Sequence, residues 1–148
     1  MISKILVPTD GSERAEKAAA FAIDLAKESS ASLEFLYVVD EGSPAFAFEI
    51  ESGVTPDIKE LADSLNSAAE GFVNKLKEQA DAAGVQAETK VANGHPSEEI
   101  LAECERSGAV QIVMASHGRR ALAAAVIGSI TLNVIHGSKV PVTVVPGE

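Results

Sequence analysis

The sequence is almost without cysteine and aromatic side chains, and it contains no long apolar run. Cys104 is the single cysteine, so no disulfide can form within the chain, and this favours a reducing, cytoplasmic setting. Aromatic residues make up 4% of the sequence, so alanine, valine, isoleucine and leucine must form the core. No apolar stretch reaches the ~20 residues of a membrane span, and the first residues lack the apolar centre of a signal peptide. We therefore expect a cytoplasmic protein with no membrane partner.

Positive charge is also scarce. The chain has 12 lysine and arginine residues against 22 acidic ones, which gives a net charge of −10. A surface of this sign repels a phosphate backbone, so nucleic acid is not the expected partner. Arg119, Arg120 and Lys139 nevertheless lie in the last third of the chain. The arginine pair falls inside a glycine-containing segment, where it would either attract an anionic ligand or lie solvated in a loop.

Histidine and cysteine are too few and too scattered to predict a metal centre. His95, His117 and His136 do not have the spacing of metal ligands, and Cys104 falls on an apolar helix face, where it would fill space in the core. No serine has the glycine-flanked turn of a hydrolase nucleophile, and the sequence has neither a P-loop lysine nor a kinase catalytic loop. With so little machinery for phosphoryl transfer, any ATPase activity should be slow at most.

What the sequence does contain is a regular alternation of apolar runs and amphipathic segments. The predicted strands are Ile2–Pro8, Ser32–Val39, Gln86–Val91, Ile112–Ala115 and Val140–Val145. Apolar residues at helical spacing predict helices after Ser12, over residues 58–83 with Gly84 at the end, after Pro96, and over Ser129–His136. The alternation implies right-handed crossovers and a single-domain three-layer α/β sandwich of Rossmann-like type, with a five-stranded parallel sheet and helices on both faces.

Two predicted turns carry residues suited to an anionic ligand. Residues 8–12 follow the first strand and include Asp10, and residues 115–118 follow the fourth. Because the carboxyl ends of parallel strands meet at one edge, both turns should border one cleft. Nine residues separate Gly118 from Gly128-Ser129, which opens a helix whose N-terminus supplies unpaired N–H groups. This segment therefore predicts a site for the phosphates of a nucleotide.

The segment Asp40–Pro56 lacks a sustained period, and we expect a long loop there. Phe46 and Phe48 within it would either cover the cleft or contact a protein partner.

On these motifs the chain resembles the universal stress protein family over essentially its whole length. The resemblance rests on KILVPTDGS near the start, on Gly94-His95-Pro96 followed by Glu99-Ile100, on SHGRR, on the later Gly-Ser pair and on the closing VPVTVV. It implies a nucleotide-binding α/β fold of the adenine nucleotide alpha hydrolase-like type, usually dimeric. The C-terminal strand Val140–Val145 would then pair with its two-fold mate in a homodimer, which would also cover an exposed sheet edge.

The ATP-binding branch of that family has a glycine, two residues, a glycine, nine residues, and then glycine with Ser or Thr. Gly118 and Gly128-Ser129 fit this pattern, but Ala115 stands at the first glycine position. One methyl group there would be tolerated at negative φ and would obstruct a ligand at positive φ. Two functions therefore remain open: binding of ATP or AMP as a stress-response regulator, or a dimeric interaction module of the same fold without a nucleotide.

The resemblance implies a role for each matching position. Asp10 would hydrogen-bond the ribose or help to hold Mg²⁺, and the backbone of Val38 would meet the adenine edge. Pro8 and Thr9 would shape the wall around the adenosine. Gly118 and Arg119 would approach the phosphates. Gly128 and Ser129 would donate N–H and hydroxyl groups to them, and Ile130 its backbone N–H. Ala115, at the end of the fourth strand, and His117 would lie beside the ligand.

Overall fold

The computed structural model describes residues 3–40, 42, 51–53, 58–117 and 127–147. Strands and helices alternate through these residues in the order β1 (Lys4–Thr9), α1 (Glu13–Ser29), β2 (Ser32–Val39), α2 (Ile58–Ala82), β3 (Ala87–Asn93), α3 (Pro96–Ser107), β4 (Gln111–Ala115), α4 (Ser129–Gly137) and β5 (Val142–Val145). The predictions for Phe46, Phe48, Gly118, Arg119 and Arg120 lie outside the described residues.

The five strands form one parallel sheet in the order β3-β2-β1-β4-β5, which confirms the predicted fold class. The order reverses between β1 and β4, because β2 and β3 lie on one side of β1 while β4 and β5 lie on the other. Strand β5 begins two residues later than predicted, after Pro141, whose carbonyl accepts the N–H of Ile112 at 3.0 Å. Strand β3 runs two residues further than predicted, to Asn93.

Helices cover both faces of the sheet, and each face has its own apolar core. The α1–α2 face is the larger: strand residues such as Val7, Phe35 and Val113 pack there against the two long helices. On the α3–α4 face, Leu6, Leu36, Ile112 and Met114 meet Ile100, Cys104 and Val134. Since side chains alternate along a strand, neighbouring residues of β1, β2 and β4 serve opposite cores.

The ends of the helices follow the signals in the sequence. Ser12 caps α1 as predicted, since its Oγ accepts the N–H of Ala15 at 3.2 Å. Helix α2 ends just before Gly84, which has the positive φ of 79° that glycine adopts without strain. No helix among the described residues is long and apolar enough to cross a membrane.

The inner face of α2 is partly different from the prediction. The apolar spacing begins at Ile58 and therefore predicts that this side chain is in the core, but Ile58 is 58% exposed at the start of the helix. Val73 is buried instead, and its neighbour Phe72 stacks on Tyr37 of β2 with ring centroids 5.9 Å apart. Apolar spacing identified the helix correctly, but residues 58–60 in its first turn are exposed.

Candidate functional site

An open cleft lies at the carboxyl edge of β1, β2 and β4, where the strand order reverses. It brings together seven residues that the sequence analysis had proposed, namely Pro8, Thr9, Asp10, Val38, Ala115, His117 and Ile130. The cleft volume is about 100 Å³. Complete small-molecule sites are typically ~300–1,000 Å³, so this hollow would take one ring-sized part of a ligand and leave the rest at its open side.

One wall of the cleft is apolar, and the sequence analysis missed most of it. The residues it did not propose are Ala15, Leu36, Pro96, Ile100, Met114 and Thr131. Leu36 could have been found, because it lies two residues before Val38 in β2 and therefore on the same face. Pro96 and Ile100 come from the first turns of α3, which only the tertiary fold brings to this edge.

The turn after β1 is held by its own side chains. Asp10 Oδ1 accepts the N–H of Ser12 at 3.0 Å, and Thr9 Oγ1 accepts the N–H of Gly11 at 3.2 Å. Gly11 has a φ of 79°, which the turn requires and which glycine adopts freely. The turn thus fixes the carboxylate of Asp10 at the cleft, where it suits ribose hydroxyls or a magnesium ion.

Ala115 ends β4 without backbone strain. Ser30 is the non-glycine residue with positive φ among those described, so Ala115 does not have the conformation in which its methyl group would obstruct a ligand. Its carbonyl accepts a hydrogen bond from Thr131 Oγ1 at 3.0 Å, and the next N–H, of Ser116, donates to Val145 at 3.0 Å. The methyl group is one part of the cleft wall.

The N-terminus of α4 faces the cleft, and its glycine makes a backbone hydrogen bond there. The N–H of Gly128 donates to the carbonyl of Ser116 at 2.9 Å. A Cβ at position 128 would lie 3.2 Å from the Cα and Cβ of His117, which explains the need for glycine. Ser129 is exposed at the helix start, outside the cleft lining, and Ile130 lines the cleft.

His117 is more deeply enclosed than a loop histidine usually is. It is 1% exposed, and its Nδ1 lies 2.9 Å from Ser116 Oγ. Its Nε2 is buried and has no hydrogen-bond partner among the described residues. The neighbouring ring carbon Cε1 lies close to Gly147, so this edge of the ring is packed inside the protein.

Comparison with known proteins gives a consistent result. The model of the Universal stress protein family matches residues 1–146. The universal stress protein YxiE of Bacillus subtilis (strain 168) is 35% identical over 147 residues, which cover 98% of this chain and 99% of that protein. The solved structure of MJ0577 from Methanocaldococcus jannaschii has a TM-score of 0.83 at 34% identity, covering 98% of this chain and 96% of that one. A universal stress protein solved in complex with cAMP has the same fold, with a TM-score of 0.73 at 22% identity and coverage of 99% and 98%.

Proposed function

Because the chain belongs to the universal stress protein family, we propose that it binds an adenine nucleotide in the cleft at the carboxyl edge of β1, β2 and β4. One observation carries the proposal: a single cleft combines an apolar wall, the carboxylate of Asp10 and the N-terminus of α4. Each of these matches one part of a nucleotide. The nucleotide would be ATP or AMP.

The apolar wall suits the adenine ring. Leu36, Val38 and Met114 offer a largely apolar surface, and the cleft volume of about 100 Å³ fits one ring system. The backbone of Val38, at the end of β2, would meet the edge of the base, as the family resemblance implies. The cAMP complex of a protein with the same fold supports an adenine ligand for this architecture.

The polar side of the cleft suits the ribose and phosphates. Asp10 would bind the ribose hydroxyls or help to hold magnesium. The first-turn N–H groups of α4 at Ser129 and Ile130 would point to the phosphates, since helix N-termini have donors without intrahelical partners. The roles of Gly118 and Arg119 stay predictions.

Magnesium would depend on the ligand. Among the described residues, no group of three or more histidine, cysteine or acidic side chains could hold a metal ion. Asp10 would therefore provide one carboxylate ligand, and phosphate oxygens and water the remainder, which is the usual coordination of magnesium beside a nucleotide.

The direct test is isothermal titration of the protein, at a concentration near 100 μM (on the scale of), with Mg·ATP and with AMP in the absence of magnesium. Asp10→Asn keeps an acceptor for the N–H of Ser12 but removes the charge. The matched control is Asp24→Asn, an exposed site on α1.

We expect D10N to weaken Mg·ATP binding about tenfold, on the order of one charge-assisted hydrogen bond, and D24N to leave it unchanged. Equal weakening of AMP binding would assign Asp10 to the ribose, and loss confined to Mg·ATP would assign it to magnesium. If neither nucleotide produces a binding heat, the proposal is contradicted.

The nucleotide would act as a regulatory ligand in the cytoplasm rather than as a substrate that is turned over quickly. Asp10 and His117 are the titratable side chains that line the described part of the cleft, and neither is accompanied there by a lysine that could stabilise a transferring phosphoryl group. Phosphate release from ATP should therefore be slow at most, and D10N should change it no more than it changes binding.

A second candidate is an interaction module of the same fold that binds no nucleotide. The observation in its favour is Ala115 at the first glycine position of the family's ATP-binding pattern. Ala115→Gly distinguishes the two functions. If the wild type binds nucleotide, the variant should bind with similar affinity, since the backbone at this position is unstrained. Binding by the variant alone would favour the interaction module.

In both proposed functions the protein would form a homodimer through β5. This strand lies at the sheet edge with all four residues only half-buried, and the neighbouring helix α4 has exposed apolar side chains: Ile130, Leu132 and Ile135, each about 40% exposed. A half-buried edge strand favours pairing with another chain.

A proline at the outward side of β5 tests the dimer. The carbonyls of Pro141 and Val145 bond to β4, so by alternation the N–H of Val144 faces outward. Val144→Pro should convert a dimer into a monomer without removing bonds to β4. Thr89→Pro, at an outward position of the opposite edge strand β3, is the matched control and should stay dimeric. Sedimentation equilibrium measures both, and a monomeric wild type would refute the dimer.

A further inference from the structure

Two carboxyl groups are buried together beneath helix α3, away from the cleft. Glu34 of β2 and Glu103 of α3 are 3% and 4% exposed, and their carboxyl groups are close enough for the protonated form of one to donate to the other. Glu34 lies two residues before Leu36, on the α3–α4 face of the sheet. Two ionised carboxylates in contact repel each other, and burial penalises each charge, so a pair of this kind keeps one proton.

The surroundings decide which carboxyl group holds that proton. Glu103 Oε1 accepts hydrogen bonds from Lys90 Nζ at 2.8 Å and from Arg106 Nε at 2.9 Å, and Arg106 also bonds the other oxygen. Glu34 Oε1 is buried with no partner among the described residues. The ionised partner is therefore Glu103, and Glu34 is the proton donor in the hydrogen bond between them.

The pKa values agree with this assignment. Burial opposes the ionisation of Glu103, but the hydrogen bonds from Arg106 and Lys90 outweigh it and lower its pKa to about 2. Burial, together with the hydrogen bond and the negative charge of Glu103, raises the pKa of Glu34 from 4.5 to about 7. Glu34 thus changes its charge near neutral pH.

Charged groups from every neighbouring element face Glu34, but none of them cancels the rise in its pKa. Lys4 of β1 and Arg106 of α3 favour its ionised form, but more weakly than burial opposes it. Lys4 is also paired at 3.6 Å with Glu88 of β3, which is largely exposed. Lys90 of β3 bonds Glu103, as described above. The adjacent thiol of Cys104 has a raised pKa because of burial and nearby negative charge, and so it adds no charge near neutral pH.

We propose that Glu34 and Glu103 form a pH-sensitive latch between β2 and α3, in which the proton that they share holds the helix on the sheet and its loss loosens the helix. Loss of the proton leaves two negative charges in contact in a buried space. Helix α3 also contributes Pro96 and Ile100 to the cleft, so the latch would change the shape of the cleft with pH. The latch itself does not depend on nucleotide binding.

The direction of the pH effect follows from linkage. The folded-state pKa of Glu34 lies above the unfolded value of 4.5, so between 4.5 and about 7 the folded protein holds more protons than the unfolded chain. The stability that this proton provides is present below pH 4.5 and is lost as the pH rises through about 7. For Glu103 the sign is opposite: its contribution is present above 4.5 and is lost as the pH falls towards 2. The pair therefore stabilises the folded protein most at a pH near 4.5.

Glu34→Gln is the decisive variant, because its amide donates to Glu103 but cannot titrate. The control is Glu70→Gln, an exposed carboxylate on α2, away from the pair. We expect the unfolding constant of the wild type and of E70Q to rise with pH relative to that of E34Q, by up to about tenfold per pH unit for one proton. E34Q should therefore be the more stable protein at pH 8. Unfolding in urea at a series of pH values measures this difference, and a pH dependence of E34Q equal to that of the wild type would overturn the proposal.

Two measurements on the wild type keep the proposal testable if E34Q does not fold. The ¹³C shift of the Glu34 side-chain carboxyl group should titrate near pH 7, and titration near its ordinary value would refute the latch. Hydrogen-exchange protection of α3 amides, corrected for intrinsic rates, should fall between pH 6 and 8 more than that of α1. Equal changes in both helices would refute the loosening of α3.

Discussion

The two faces of the sheet are built for different purposes. The buried residues of the α1–α2 core link four strands to two long helices. The α3–α4 face has a smaller apolar core, and it also contains the buried pair Glu34 and Glu103 and much of the cleft wall. Three consecutive residues of β2 illustrate the division: Phe35 faces the first core, while Glu34 and Leu36 face the second. One face thus provides most of the apolar stabilisation, which leaves the other free to hold polar groups and an open cleft.

Truncation on each side of β2 should give the largest effects. Phe35→Ala should reduce the free energy of unfolding by about 3–5 kcal/mol and Leu36→Ala by about 2–5 kcal/mol, since both side chains are fully buried. Only L36A removes a part of the cleft wall, so only L36A should weaken nucleotide binding. Urea unfolding measures the free energy of unfolding. Titration calorimetry measures the nucleotide affinity under conditions in which both variants are folded. An equal loss of affinity in F35A would show that the faces are not independent.

Two glycine-to-alanine substitutions, one on each face, should change the free energy of unfolding in opposite directions. Gly128→Ala places a Cβ 3.2 Å from His117 and should cost about 1–3 kcal/mol, the usual range for overpacking. Gly71→Ala, in the middle of α2, meets nothing within 4 Å and should stabilise by about 0.5–1 kcal/mol through its higher helix propensity. Thermal unfolding of both proteins checks the prediction. Destabilisation by G71A would mean that the exposed side of α2 is covered by another part of the chain or by a second copy.

The smallest effect should come from a single hydroxyl group on the cleft side. Thr131→Val keeps the shape of the side chain but removes the hydrogen bond to the Ala115 carbonyl, and should cost about 1 kcal/mol. Ser29→Ala, which removes the 2.8 Å bond to the Leu25 carbonyl near the end of α1, is the control on the other face and should cost less, because Ser29 is only half-buried. Equal costs for the two variants would contradict the expectation that the buried hydrogen bond of Thr131 contributes more to stability. Chemical denaturation resolves the two values.

Much of the cleft could be predicted because its residues lie where strands end. Pro8, Thr9 and Asp10 follow β1, Val38 ends β2, and Ala115 ends β4, so parallel pairing alone brings them to one edge. Cys104 was correctly assigned to the core for a similar reason, since it lies on the apolar face of α3. These predictions needed only the local pattern and the rule that parallel strands end together.

The sequence could not predict the features that long-range contacts decide. Gly128 has a sequence pattern typical of phosphate binding, but its N–H is used by Ser116, and the glycine serves a close approach to His117. The burial of His117 itself could not be predicted, because the segment around it has no periodicity. Glu103 looks like an ordinary surface residue of an amphipathic helix, yet it is buried against β2.

The sequence by itself determined the order of strands and helices, the parallel sheet, the caps at Ser12 and Gly84 and the edge at which the cleft lies. These features depend on periodicity and turn chemistry, which act between residues a few positions apart. Only the tertiary structure decided that Pro96 and Ile100 complete the cleft wall and that Glu34 meets Glu103 beneath α3. The reason is that burial and charge pairing depend on which elements pack together, and a residue's own neighbours in the chain do not contain that information.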